Sequence, residues 1–258
     1  MKVGVCLKQV PATDTRIRVN PAGNGILTDD VKWEINPYDE YALEEGIRLK
    51  QAGKATEVVI LTIGGADAEA RIRDGLARGA DRAVRVDAPA GLDALGKARV
   101  LAAAAKAEGV GILLCGRQSI DTDNGAVPAM TAELLGWPQV SWVDKLTIDG
   151  EAFTAQRAAG GGVREVVAGR LPAVVTCDKG LNEPRYATLP GIMAAKKKAI
   201  AAKSAADLGL DAGALAPLVE ESAMGLPPAR PAGKIVPGDA ATAAAELVRL
   251  LREEAKVI

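Results

Sequence analysis

The segment CGRQSIDTDNG, Cys115–Gly125, concentrates the polar side chains most able to hold a ligand. A glycine that allows close backbone approach precedes an arginine, amides, hydroxyls and carboxylates, and a helical pattern follows. The unpaired N–H groups at the start of that helix suit a phosphate. Asp121 and Asp123, with one residue between them, are spaced to share a hard cation. An ordinary turn, with Asp123 or Asn124 capping the helix, explains the same residues. Neither G-x-G-x-x-G nor a Walker A run is present, so no phosphate fingerprint decides between these readings.

Elsewhere, reactive groups are scarce. The chain has no histidine, which removes the commonest general base, the commonest metal ligand and every nucleophile–histidine pair. Cys6, Cys115 and Cys177 lack CxxC spacing and carry no zinc or iron–sulfur signature. Neither catalytic residues nor a metal centre is expected. The odd number and wide separation of the cysteines fit a reducing cytoplasm, or the mitochondrial matrix in a eukaryote.

The elements that must position the polar segment are legible as apolar runs alternating with helix-period stretches. Val3–Leu7 reads as a strand. A helix is predicted from Pro37 to Gln51, with Asn36 as candidate N-cap, Pro37 at the first position and acids in the first turn. EVVILTIGG, RAVRVD and VGILLCG read as further strands. ADAEARIRDGLARGAD, ending near Gly79, LDALGKARVLAAAAKAEG and about Ala126–Leu135 read as helices. That order predicts a doubly wound, mainly parallel α/β sheet. Ligands bind such sheets beyond the carboxyl ends of the strands, here Cys6–Gln9, Thr62–Gly65 and Cys115–Gly125.

After GWPQ the pattern becomes a small antiparallel extension, with a turn at Asp149-Gly150 and a looser one at Gly160–Gly162. LPAVVTCD returns to a buried strand. Residues 213–238 form an arm rich in Pro, Ala and Gly, and an amphipathic helix follows, with Asp239 as its cap and Leu247, Leu250 and Leu251 on one face. A nucleotide-binding domain over residues 1–212 and an arm with a helix over 213–258 are therefore expected.

The 258 residues are 48% hydrophobic, enough for one core and a smaller appendage. A net charge of −1 and 3% aromatic residues argue against a nucleic-acid surface. No apolar run approaches the roughly 20 residues of a membrane span, so the chain is not expected to be membrane-embedded. Lys2 and Lys8 interrupt any signal-peptide core.

The stretch LNEPRYATLPGIMAAKKK, Leu181–Lys198, is neither core nor linker. Pro184 and Pro190 bracket Arg185, Tyr186 and Leu189; Ile192 and Met193 follow. Lys196–Lys198 read as a solvated helix face that complements the dipole. With VKWEINPYDEYALEEGIRLK and GRQSIDTDNGAVPAMTAELLGWPQ, this stretch resembles the β (small) subunit of electron transfer flavoproteins, in order and spacing from Met1 to about Leu210. The arm and last helix are similar to that subunit's tail.

The resemblance implies a Rossmann-like domain in a heterodimer whose α (large) subunit holds most contacts to a redox-active FAD. It implies an electron carrier without substrate turnover of its own, serving acyl-CoA and other flavoprotein dehydrogenases and passing electrons to a membrane quinone oxidoreductase. It implies AMP held at Cys6, at Asn36, Pro37, Tyr38 and Asp39, and at Ile63. The phosphate loop would supply Gly116, Arg117, Gln118, Ser119, Ile120 and Asp121, then Thr122, Asp123, Asn124, Gly125, Ala126 and Val127. Here NGAVP stands where the family has an Asn-Gln-Thr run, so hydroxyl and amide donors are missing. Residues 178–200 would be a recognition loop that docks dehydrogenases through Leu189, with Pro184, Arg185, Tyr186, Pro190, Ile192 and Met193 around it and the lysines steering an acidic partner. Some family members bifurcate electrons and hold a second FAD in place of AMP. An ATP- or AMP-binding stress-type protein would share the sheet but has no need of the arm.

Overall fold

The computed structural model describes residues 1–230 and 232–258; Pro231, in the expected arm, lies outside the described residues. Seven parallel strands carry the fold. They are β1 (Lys2–Cys6), β4 (Glu57–Ile63), β5 (Arg82–Asp87), β6 (Ile112–Gly116), β7 (Gln139–Asp149), β10 (Ala173–Cys177) and β11 (Ile200–Ser204). β7 continues antiparallel into β8 (Ala152–Gly160) and β9 (Val163–Arg170), giving one nine-stranded sheet of order β11-β5-β4-β1-β6-β10-β7-β8-β9. A separate antiparallel pair joins β2 (Gln9–Pro11) to β3 (Trp33–Ile35).

Strands covered on both faces read as unbroken apolar runs, and alternate residues divide between two layers. Val3, Val5, Ile60, Ile112 and Leu114 pack with α1 (Pro37–Gln51) and α2 (Glu69–Arg78). Val59, Leu61, Val84 and Leu113 pack with α3 (Ala94–Glu108) and α4 (Ala126–Leu135). The architecture is thus the Rossmann-like, doubly wound one expected, with the chain order reversing around β1.

Three local expectations shift. The β7–β8 turn is formed by Gly150 and Glu151, one residue beyond the expected pair, with Gly150 at φ 58°. β11 was not expected as a strand, and α5 (Leu189–Ala195) is a short helix inside the proline-framed stretch.

The chain divides into two units, Met1–Ala223 and Met224–Ile258. Residues 213–223 of the expected arm thus belong to the first unit. In the second, Asp239 caps α6 (Ala240–Glu253), its Oδ1 accepting from Thr242 N at 2.8 Å. No helix among the described residues is long and apolar enough to cross a membrane.

Candidate functional site

The carboxyl ends of β1 and β6 are held together by the start of α1. Asp39 is buried there; its Oδ2 accepts from Lys8 N at 2.8 Å and its Oδ1 from Gly116 N at 3.0 Å. Burial pushes its carboxyl up to about 7, against the opposing pull of hydrogen bonds from Asn36, Lys8 and Gly116 and of the Lys8 charge. Gly116 is required by this contact, because an added Cβ would lie 2.7 Å from Tyr38 Cβ and also collide with Asp39 Oδ1. Asn36 stands at the N-cap position of α1 as expected, but its side chain makes no capping bond. Its Nδ2 donates to Gln118 O at 2.9 Å and its Oδ1 accepts from Ile120 N at 3.2 Å, so it clasps the turn after β6.

Beyond these strand ends lies a cavity of about 1110 Å³. Cys6, Leu61, Ile63, Cys115 and Val127 give it an apolar side. Lys8, Asn24, Gln118, Ser119, Thr122 and Asn124 bring polar groups to it. Further wall comes from residues 88–95, Lys97 and 217–221. Asp93 binds these two segments together, accepting from Gly96 N at 2.7 Å and Leu218 N at 2.8 Å. Those two bonds hold its carboxyl below the usual range.

Much of the polar loop is satisfied internally. Lys8 Nζ pairs with Asp121 Oδ2 at 2.6 Å and donates to Ser119 Oγ at 3.2 Å. Gln118 Nε2 donates to Asp123 Oδ1 at 2.8 Å, and the Ser119 and Thr122 hydroxyls are 3.0 Å apart. Asp121 and Asp123 thus have separate partners and do not form a shared cation site. Asn124 Oδ1 accepts from Ala126 N at 3.2 Å. Pro128 has no N–H, so two of the first three positions of α4 offer no free donor to a phosphate.

Arg117 faces elsewhere. Its guanidinium lies 4.7 Å from the Tyr38 ring centre and 4.9 Å from that of Trp142, and it pairs with Asp178 Oδ2 at 3.2 Å. A β7 irregularity presents Trp142, at φ 61° with its N–H given to Thr176 Oγ1 at 2.8 Å. Pro37, Tyr38, Arg117 and Ile120 border a second hollow of about 370 Å³, with Tyr41, Asp178 and Lys179.

The stretch after β10 is pinned by its polar residues and displays its apolar ones. Arg185 Nε and Nη2 reach Glu44 Oε2 and Oε1 at 2.7 and 2.8 Å, and Asn182 Nδ2 reaches Tyr41 O and Glu45 Oε2, each at 3.0 Å. Thr188 caps α5 through Gly191 N at 3.2 Å. A Cβ on Gly191 would strike Ala77 O on α2. Lys198 donates to Leu76 O at 2.9 Å and Ala80 O at 2.5 Å, while Arg73 reaches back to Ala195 O and Lys198 O. Lys198 is therefore occupied at the end of α2, and burial lowers its pKa. Tyr186 and Leu189 are 90% and 74% exposed, with Met193 and Ile192 beside them in sequence and also exposed.

Comparison with known proteins gives this arrangement a family. Residues 24–208 match the model of the electron transfer flavoprotein domain. A Bradyrhizobium diazoefficiens protein described as electron transfer flavoprotein subunit beta is 43% identical over 258 residues, covering 100% of each chain. The Oryza sativa subsp. indica protein described as electron transfer flavoprotein subunit beta, mitochondrial, is 40% identical over 262 residues, again covering 100% of both. The Bos taurus subunit beta is 44% identical over 211 residues, 80% of this chain and 82% of that one. The chain belongs to the electron transfer flavoprotein β-subunit family.

Within that family framework, the site residues expected from sequence fall into three groups. Cys6, Asn36, Asp39, Ile63, Gly116, Gln118, Ser119, Thr122, Asn124, Gly125 and Val127 line the large cavity. Pro37, Tyr38, Arg117 and Ile120 line the second hollow, and Asp121, Asp123 and Ala126 border neither. Lys8 lies within the strand-end segment Cys6–Gln9 expected to face a ligand, whereas sequence reasoning missed Asn24 and the walls around 88–97 and 217–221. The two walls are separated by more than a hundred residues and carry no shared motif.

Proposed function

We propose that this chain is the β subunit of a heterodimeric electron carrier, with FAD held mainly by an α subunit and AMP held in the large cavity. Family membership supports the α partner and the flavin. The cavity supports a nucleotide: an apolar side at Cys6, Leu61 and Ile63 suits a base, and the hydroxyls, amides and Lys8 suit ribose and phosphate. Lys8 and Asn24 offset part of the donor loss at NGAVP. The chain's own groups would bind and orient. FAD, when bound in the partner, would supply the electron-accepting ring.

The observation that carries the docking role is the polarity of residues 182–193, where Asn182 and Arg185 turn inward while Tyr186, Leu189, Ile192 and Met193 face solvent. Such a rigid apolar tip loses little ordering entropy when it binds. Small contacts suit the brief encounters of redox partners, here acyl-CoA and other flavoprotein dehydrogenases on one side and a quinone oxidoreductase on the other. Arg185 acts in docking by holding the tip, and Pro184 and Pro190 by framing it.

The decisive experiment denatures the co-purified heterodimer and identifies the released nucleotides by chromatography. One FAD with one AMP supports the proposal. Two FAD would replace AMP with a second flavin, which a cavity of about 1110 Å³ is large enough to favour as the second reading. No flavin at all would remove the electron-carrier role.

A further inference from the structure

β1 and β6 bring two thiols together beside the cavity. The strands run parallel and in step, with Val5 opposite Leu114, which makes Cys6 and Cys115 the next pair along. Both leave the sheet on the face that carries Leu61 and Leu113, and both line the cavity. Cys177 packs in the opposite layer. Cys115 is buried, whereas Cys6 is only partly buried.

We propose that Cys6 and Cys115 form a dithiol oxidation site, closed by a hydroperoxide to a disulfide that spans β1 and β6 in the cavity wall. Neighbouring strands lie roughly 4.8 Å apart, inside the Cα window of about 4.4–6.8 Å that a disulfide accepts. The in-step register therefore already suits a bridge without the strands sliding. The residues also divide the work. The adjoining Cys6 thiol, together with burial, pushes the Cys115 thiol well above the usual thiol range, which makes it a poor first nucleophile. Cys6 opens on the cavity and reacts first.

In that step the Cys6 sulfur attacks the peroxide, the O–O bond breaks, and Cys6 becomes a sulfenic acid with release of water or an alcohol. Cys115 sulfur then attacks the sulfenic sulfur. An S–S bond forms, the S–O bond breaks, and the departing hydroxide takes the Cys115 proton to leave as water. Two electrons pass from the thiols to the peroxide, and a dithiol reductant returns them. Closure alters the surface against which a base would lie; that consequence, unlike the disulfide itself, rests on the nucleotide proposed above.

The test uses the full chain co-purified with its α partner, depleted of AMP by dialysis and exposed to hydrogen peroxide. It is then unfolded, alkylated and digested for mass spectrometry. The expected result is a peptide pair joined through Cys6 and Cys115, lighter by two hydrogens, with Cys177 alkylated and the link lost on dithiothreitol treatment. Cys6→Ser should abolish the link and leave Cys115 fully alkylated. Cys6 ending as sulfinic or sulfonic acid while Cys115 is still alkylated would overturn the site, as would a link through Cys177. A parallel arm adds AMP at about ten times its Kd, which leaves about a tenth of the cavities open and should slow linking about tenfold. Linking at an unchanged rate keeps the dithiol site and removes AMP from beside Cys6.

Discussion

The loops that leave β6 and β10 start from neighbouring strands of one sheet yet treat polarity in opposite ways. After β6, residues 117–124 bond their hydroxyls, amides and acids to one another and to Lys8 and Asn36, around a hollow. After β10, Asn182 and Arg185 bond to α1, and the apolar side chains are left facing water. Both loops are tied by hydrogen bonds, but those of one surround a hollow while those of the other brace a surface. Exposed apolar groups on a braced segment mark a contact surface; polar groups gathered around a cavity mark a ligand site.

Four substitutions test this contrast, from the greatest expected loss of stability to the least. Gly116→Ala forces a methyl against Tyr38 and Asp39, and should cost about 3 kcal/mol or more in urea unfolding. A near-neutral result would mean that Asp39 does not tie the strand ends. Arg185→Ala leaves the buried Glu44 carboxylate without its partner and should cost about 2 kcal/mol. Limited proteolysis should then cut the loop faster, and unchanged cleavage would show that the tip is braced by something else.

Asp39→Asn should cost about 1 kcal/mol near neutral pH, since one backbone N–H loses its acceptor. It should also flatten a pH dependence. The folded carboxyl, near 7, retains its proton above the unfolded value of about 3.9, so this stabilisation is complete at low pH and is lost as pH rises through about 7. Urea midpoints of both proteins across that range measure the difference, and parallel curves would rule out Asp39 as the source. Leu189→Ala should change stability by no more than about 0.5 kcal/mol, because the side chain is 74% exposed. It should nevertheless slow reduction by a partner dehydrogenase about tenfold, as loss of a docking anchor does. Full activity would remove the anchor role.

The parts of the fold legible in sequence are those with a physical signature spanning many residues. α1 begins at Pro37 as expected because proline suits a first helical position, and the doubly buried strands were readable from their apolar runs. β11 was hidden because IAAKS has no apolar run and its alternation is blunted by alanine. Asn36 followed the statistics of caps, but its side chain found partners in Gln118 and Ile120, more than eighty residues away. The site was legible where one segment supplied it and illegible where distant segments met, as at Asp93 and Leu218.

Lys198 holds the Leu76 and Ala80 carbonyls at the end of α2, while Arg73 holds the Ala195 and Lys198 carbonyls after α5. A tug on the apolar tip is therefore borne by the helical layer built on α1 and α2. The chamber wall formed by α3 and α4 is on the far side of the sheet. Only α1 belongs to both regions, lending Asp39 to the cavity and Glu44 to the tip.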